Sequence, residues 1–435
     1  MRISTSTIYD TGVAGMQTHQ QAQLSLQQHV SSGLRVLTAG DDPVAAAAIL
    51  NIKQAQALNS QYDANGGTAT NSLSLEESAL SDLTTLLQNV KTQAVYAGSG
   101  GLNNGDRATL AMQLQQTYQD LIGIANRTDG TGQYLFAGYR SATTPFTENG
   151  PGNVAYNGDA GQRQVQIDEN TLVAINDTGD AVFRGIRSGN GLFVAAAGAA
   201  NTGSGVIGTG TVTGPAQWNA AGNGKDFSIR FHVDNSSTPP ATTYDIVDNV
   251  NNRSLLTGAA PGAGPYLRSY TAGTSITLAT QSPPDTNATP FDYGAAVSID
   301  GAPASGDRFS VKASARQDIF ATVQSLISTL QSGPSGTAAS SAAYQNALNG
   351  AMNGIDNALN NVLNTRAAVG SRLQQISTAQ ASAQEVALQY KQTASTLQDL
   401  DYTKAISDLN QQQVFLQAAQ QSFLKVTSLN LFSML

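Results

Sequence analysis

An unbroken 4-3 spacing of core-type positions constrains this chain more than any other feature. It runs Ala48, Ile52, Ala55, Asn59, Tyr62, Gly66, Ala69, Leu73, Glu76, Leu80, Leu83, Leu87, Val90, Ala94. A helix brings side chains back to one face at an average of about 3.5 residues, and so long a stripe needs partner stripes to cover it. Asp42 suits an N-cap, Pro43 sits where a missing N–H costs nothing, and Gly98-Ser99-Gly100-Gly101 stops the helix. Asn65-Gly66-Gly67 is a weak spot, each Gly costing about 1 kcal/mol against Ala. The register is the same on both sides, so the helix is expected to continue. A second helix, from about Asp106 to Arg127, carries Leu110, Leu114, Thr117, Leu121 and Ile124 on one face. Its short connection implies antiparallel packing along the first.

The C-terminal part repeats the pattern. Ile319, Val323, Leu326 and Leu330 predict a short amphipathic helix, and Ser332 to Ser341 reads as a Ser/Gly/Pro linker. A stripe then runs from Leu348 through Ile355, Val362, Arg366, Val369, Leu373 and Ile376 to Leu397. Its phase shifts near Asp399-Leu400-Asp401 before resuming at Tyr402 and Ile406, which marks a boundary between packing environments. The middle alternates instead. Phe227, Ile229, Phe231 and Val233 share one face of a strand over 226–234. Shorter runs occur at Val165/Ile167, Ile276/Leu278, Val297/Ile299 and Phe309/Val311, while 195–221 looks like loop.

The expected fold class is therefore α+β. Long helices from both ends make a discontinuous, coiled-coil-like bundle, with small β domains inserted. Four parts are expected: 1–41 with 401–435 as terminal helices, and 42–140 with 312–400 as the helical bundle domain. Residues 141–190 form β hairpins beside the bundle, and 191–311 form an inserted β-rich outer domain.

Composition narrows the function classes. Only 12% of the 435 residues are charged, with a net charge of −8. Phosphate binding needs a basic stripe, so no nucleic-acid partner is expected, and an anionic membrane surface is unfavourable too. The apolar runs are far shorter than the roughly 18–20 residues needed to cross a bilayer, so no membrane insertion is expected. There is no cysteine, which excludes disulfides and thiolate metal sites. The opening Met1-Arg2-Ile3-Ser4-Thr5 lacks an apolar leader core, so export, if it occurs, is expected without a cleaved signal peptide.

Catalytic chemistry is hard to find. His19 and His29 fall on different helix faces without an acid at ligand spacing, and with His232 they read as surface or interface histidines. Gly203 to Gly208 matches GxGxxG but lacks a strand before it and a helix after it. Asp41-Asp42 reads as a helix start, and Glu76-Glu77 as one solvated side chain and one bundle contact. No enzyme, cofactor or metal is expected.

The two ends point to assembly. Segments 1–40 and 402–435 place Gln where Leu normally sits in a seam. Such a seam buries too little apolar area to offset chain entropy, so these helices are expected to order only when copies pack together. The residues expected to face neighbours are Ile3, Ile8, Met16, Leu26, Val30, Leu409, Leu416, Phe423, Leu429, Leu431, Phe432 and Leu435.

Specific motifs carry a resemblance. Ser31-Ser32-Gly33-Leu34-Arg35-Val36 followed by Asp41-Asp42-Pro43-Val44-Ala45-Ala46 resembles the N-terminal signature of the bacterial flagellin family. Gly33, Arg35, Asp41, Asp42 and Pro43 are its marked positions. Pro43 departs from the filament proteins, which usually have Asp-Asp-Ala-Ala-Gly there, and is similar to the junction proteins of that family. Gly132 to Tyr139, Pro145-Phe146, Tyr156-Asn157-Gly158-Asp159, Gly306-Asp307-Arg308-Phe309, Asp401-Tyr402 and the closing Ser428 to Leu435 fit the same branch. The resemblance covers roughly 1–185 and 300–435 and leaves about 190–300 unmatched. It implies a structural subunit of the bacterial flagellum at the hook–filament junction. The implied partners are further copies in a ring, hook-associated protein 1, flagellin, and an export chaperone before type III secretion to the cell exterior. Two alternatives stay open: a flagellin filament subunit, and an adhesive or glycan-binding surface protein acting through the β insertion, with Trp218 and scattered Tyr as aromatic platforms.

Overall fold

A computed structural model describes residues 5–431. Among the described residues seven α-helices are formed, α1 (Thr5–Ser32), α2 (Pro43–Ala97), α3 (Asn104–Ala125), α4 (Pro215–Trp218), α5 (Ile319–Ser332), α6 (Ala338–Gln398) and α7 (Tyr402–Leu431), with one π-helical turn over Asp180–Arg184. The strands lie between α3 and α5, giving the α+β arrangement. The chain divides into two compact units, one of 1–67, 166–171 and 376–435, the other of 68–165 and 172–375.

In the first unit α1 and α7 lie antiparallel. The rings of Tyr9 and Phe423 meet edge-on at 5.4 Å, and His19 shares a hydrogen bond with Gln412 at 3.0 Å. At the open end of this hairpin the chain passes twice through one joint. Leu34 and Asp399 form an antiparallel bridge, Arg35 N donates to Gln398 O at 2.7 Å, and Leu400 N donates to Gly33 O at 3.0 Å. Gly33 holds φ at +74°, and a Cβ there would stand 2.9 Å from the Tyr402 hydroxyl, so both backbone and space call for glycine. The phase shift near Asp399 is thus a true helix break. Asp401 restarts the chain as α7 by accepting from Thr403 N and Lys404 N at 3.0 and 3.1 Å.

The α2 boundaries match the sequence reading, and the helix runs through Asn65-Gly66-Gly67. Asn65 Nδ2 donates to Gln166 O at 2.8 Å there. In the second unit Ala69, Leu73, Leu80, Leu83, Leu87, Val90 and Ala94 are fully buried, each leucine contributing roughly 1.5–3 kcal/mol by leaving water. Leu114 and Leu121 of α3, Val323 and Leu326 of α5, and Ile355 and Val362 of α6 are also fully buried. The α3 helix begins two residues before the expected Asp106, because Asn103 and Asp106 form a reciprocal capping box. The helix α6 also begins inside the expected linker. Thr337 caps it, accepting from Ser340 N at its hydroxyl and from Ser341 N at its carbonyl, and composition alone hides such a cap.

The insertion is a sandwich. One sheet orders the strands Arg253–Ser254, Ala241–Asp248, Asp226–Asp234, Arg308–Ala313 and Phe193–Ala197, with Arg268–Ser269 also on Ala241–Asp248. The other pairs Ser275–Ala279, Asp292–Asp300 and Val206–Ile207, with Thr211–Val212 on Asp292–Asp300. Phe227, Ile229, Phe231, Phe309 and Val311 meet Ile276, Leu278, Val297 and Ile299 between them. The stretch 195–221 is not simple loop: it holds the end of one strand, two short strands and α4, which seats Trp218 in the core.

Candidate assembly interface

The α1–α7 hairpin presents two faces. Met16, Leu26 and Val30 of α1 and Leu409, Leu416 and Phe423 of α7 are half-buried. Phe423 lies against Tyr9, as a seam between the two helices requires. Ile8 is exposed. Ile3, Phe432 and Leu435 lie outside the described residues, and only the backbone of Leu429 and Leu431 is described. Exposed apolar side chains flank that seam: Val13 and Leu24 on α1, and on α7 Ile406 and Leu424 to one side, Phe415 and Val426 to the other, with Val414 between them. Which face points outward follows from the pairing of α1 with α7, which the sequence does not display.

The marked motif residues build the joint below this hairpin. Arg35 donates through Nη1 to Asp42 Oδ2 at 3.1 Å and through Nη2 to Leu397 O at 2.7 Å. Asp42 Oδ1 accepts from Ala45 N at 3.0 Å and caps α2. The Ala45 N–H, followed by the Arg35 side chain, holds the Asp42 carboxyl below its usual range. Asp41 Oδ2 accepts from Thr38 N at 2.8 Å and Leu37 N at 3.0 Å, tightening the turn before the cap. Val36, Ala45 and Ile49 pack beneath with Leu397. Gly33, Arg35, Asp41, Asp42 and Pro43 therefore sit at one place.

The motifs of the other unit also converge. Phe136, Phe146, Phe183 and Phe320 form one aromatic cluster with centroids 5.2 to 5.9 Å apart. The Tyr156 hydroxyl donates to Phe136 O at 3.0 Å and Asp159 O at 2.9 Å. Asp159 Oδ1 accepts from Tyr139 N and Gly161 N at 2.9 and 2.8 Å. Gly138 has φ +73°, and a Cβ there would stand 2.3 Å from that carboxylate. Asp307 fixes the return from the insertion, accepting from Thr202 N, Gly203 N and Ala304 N at 2.7 to 3.0 Å.

Two polar residues in the helical stripes have partners that spacing does not reveal. Arg366 donates to Glu77 Oε1 through Nε and Nη2 at 2.8 and 2.6 Å. Glu76, which the spacing places in the α2 stripe, is only 1% exposed. Its Oε1 accepts from Asp177 N at 2.9 Å, and Asp177 pairs with Arg372 at 2.5 Å. Burial, and then the Asp177 charge, pushes the Glu76 carboxyl up to about 8. Asn361 Nδ2 donates to Ala181 O and Val182 O at 2.9 Å, and Asn357 Nδ2 to Gly189 O at 2.7 Å. This amide face of α6 grips the backbone leading into the insertion. Trp218 is buried in the sandwich core and offers no surface platform for a sugar. Among the described residues no group of three or more His, Cys, Asp or Glu is placed to hold a metal, and no helix is long and apolar enough to cross a membrane.

Comparison with known proteins places these features. The bacterial flagellin N-terminal helical region matches residues 3–141, and the bacterial flagellin C-terminal helical region matches residues 352–435. Flagellar hook-associated protein 3 of Escherichia coli strain K12 is 40% identical over 188 residues, or 43% of this chain and 58% of that protein. That match thus spans less than two thirds of the curated relative. The crystal structure of the flagellar junction protein FlgL from Legionella pneumophila is similar at TM-score 0.67 and 29% identity, covering 81% of this chain and 100% of that one. FlgL from Xanthomonas campestris is similar at TM-score 0.62 and 30% identity, covering 79% of this chain and 99% of that one.

Proposed function

The chain belongs to the bacterial flagellin family, in its hook-associated protein 3 branch, and from that premise we propose that it is the structural subunit joining flagellar hook to filament. It connects the hook, through hook-associated protein 1, to flagellin, as a ring of copies outside the cell. It leaves the cell unfolded, held first by an export chaperone, and it has no catalytic role. The observation that carries this reading is the set of apolar side chains left exposed around the α1–α7 hairpin. Val13, Leu24, Ile406, Val414, Phe415, Leu424 and Val426 lie exposed on two helices whose own seam is only half-buried. Such a pair is weak alone and gains its missing core from neighbours. The fold-on-assembly reading of the terminal helices and the facing role of exposed Ile8 rest on the same argument, while half-buried Met16, Leu26, Val30, Leu409, Leu416 and Phe423 would complete the seam between the two helices.

Two experiments test it. Limited proteolysis of dilute purified protein should remove α1 and α7 rapidly and leave α2 to α6 resistant; protected terminal helices would contradict folding on assembly. Incubation with filament fragments separates the alternative of a filament subunit. A junction subunit adds little length, whereas growth of long filaments from this chain alone would favour the flagellin reading.

A further inference from the structure

The insertion sheet carries a pair of arginines on the face turned away from its core. Along Asp226–Asp234, Phe227, Ile229 and Phe231 enter the sandwich, so Arg230 and His232 point to the opposite side. Arg308 stands directly opposite Arg230 on one neighbouring strand, and Asp245 opposite it on the other. Like charges facing each other across strands repel. Arg253 and Arg268 of the same insertion pair with Asp248 and Asp285. Neither Arg230 nor Arg308 has an ion pair among the described residues, and Arg230 Nε is buried without a hydrogen-bond partner. A buried N–H left unmatched costs roughly 1–3 kcal/mol. Asp245 is shared with Ser254, and no ion pair joins it to Arg230 among the described residues. Its Oδ1 accepts from the Ser254 hydroxyl at 2.7 Å, and burial pushes its carboxyl up. Tyr266 lies beside the pair, its hydroxyl raised by burial and then by Asp245, with Arg230 and Arg308 both opposing. Its ring stands edge-on to His232 at 6.2 Å.

We propose that Arg230 and Arg308 form a binding site for an oxyanion, a carboxylate or sulfate group, with Tyr266 and His232 at its rim. The planar guanidinium fork matches two oxygens of such a group. One bound oxyanion, bridging the two guanidinium groups, relieves the cross-strand repulsion. The net charge of −8 means that the whole chain does not gather anions, so the attraction is local to this pair. A free ion and an acidic group on a saccharide share this chemistry.

Calorimetric titration of the full chain with sodium sulfate, sodium acetate and a sulfated disaccharide, at ionic strength held by sodium chloride, tests the site. The wild type should bind one oxyanion saturably. Arg230→Gln and Arg308→Gln should each weaken binding about tenfold or more, with Arg308→Lys intermediate because it keeps charge without the fork. A disaccharide binding more than about tenfold tighter than sulfate identifies a saccharide-borne group, and equal affinities identify the free ion. Absence of saturable binding in the wild type, or undiminished binding in the folded double variant, overturns the proposal. If the variants fail to fold, the wild-type Arg230 Nε–H resonance decides: it should move on titration with sulfate, and an unmoved resonance overturns the proposal equally.

Discussion

Replacing Glu76 by Gln isolates the ionisation of one buried carboxyl. The side chain is 1% exposed, Oε1 accepts from Asp177 N at 2.9 Å, and Oε2 has no hydrogen-bond partner among the described residues. Burial and then the neighbouring Asp177 charge raise the carboxyl from 4.5 to about 8. The folded state therefore holds this proton more tightly than the unfolded chain does. The stability so gained is fully present below about pH 4.5 and is lost as pH rises through about 8. At about 1.4 kcal/mol per pH unit the ceiling over that window is ~5 kcal/mol, with the opposing pull of Arg372 already contained in it. Gln keeps the acceptor for Asp177 N–H and removes the ionisation. Urea unfolding of both proteins at pH 5 and pH 8.5 measures the effect, since groups that do not face Glu76 cancel in the comparison. Glu76→Gln should be close to wild type at pH 5 and more stable by roughly 2–4 kcal/mol at pH 8.5. Parallel pH dependence of the two proteins would refute the argument, because Glu76 would then ionise as a solvated carboxyl does.

Other substitutions probe other joints. Arg268 and Asp285 are almost fully buried and pair at 2.5 Å. Arg268→Ala should therefore cost roughly 3–5 kcal/mol in chemical denaturation, whereas pairing Arg268→Met with Asp285→Leu should recover only part of it, because Thr277 O, Ala279 O and Gln281 N lose their partners. Asn361→Ala removes the two bonds to Ala181 O and Val182 O and should cost about 1–3 kcal/mol by the same measurement. Val414→Glu with Leu424→Glu places charge on the solvent face of α7; circular dichroism of the monomer should be unchanged while incorporation into flagella is lost.

Local signals made much of this fold legible. Asp42 and Pro43 marked the start of α2 and Gly98 its end, and the alternation from Phe227 to Val233 marked the central strand of the sandwich, because these signals lie within a few residues of one another. What stayed hidden depends on distant partners. Glu76 meets Asp177 across 101 positions and Arg366 meets Glu77 across 289. A carboxylate and an arginine inside an apolar stripe therefore look like irregularities until the fold supplies their partners. The outward face of the terminal helices is hidden for the same reason, since α1 and α7 come from opposite ends of the chain. The short strands within 195–221 are masked by a Gly/Thr/Ala-rich composition that reads as loop, although Gly203 and Ile207 are held by Asp307 and Asn346.

Deleting the gene for this chain in its own bacterium and imaging the flagella tests the junction assignment most directly. The account predicts intact hooks without filaments, with flagellin released into the medium, and filaments restored when the gene is returned. Cells that lack the protein and still carry full-length filaments on their hooks would contradict it.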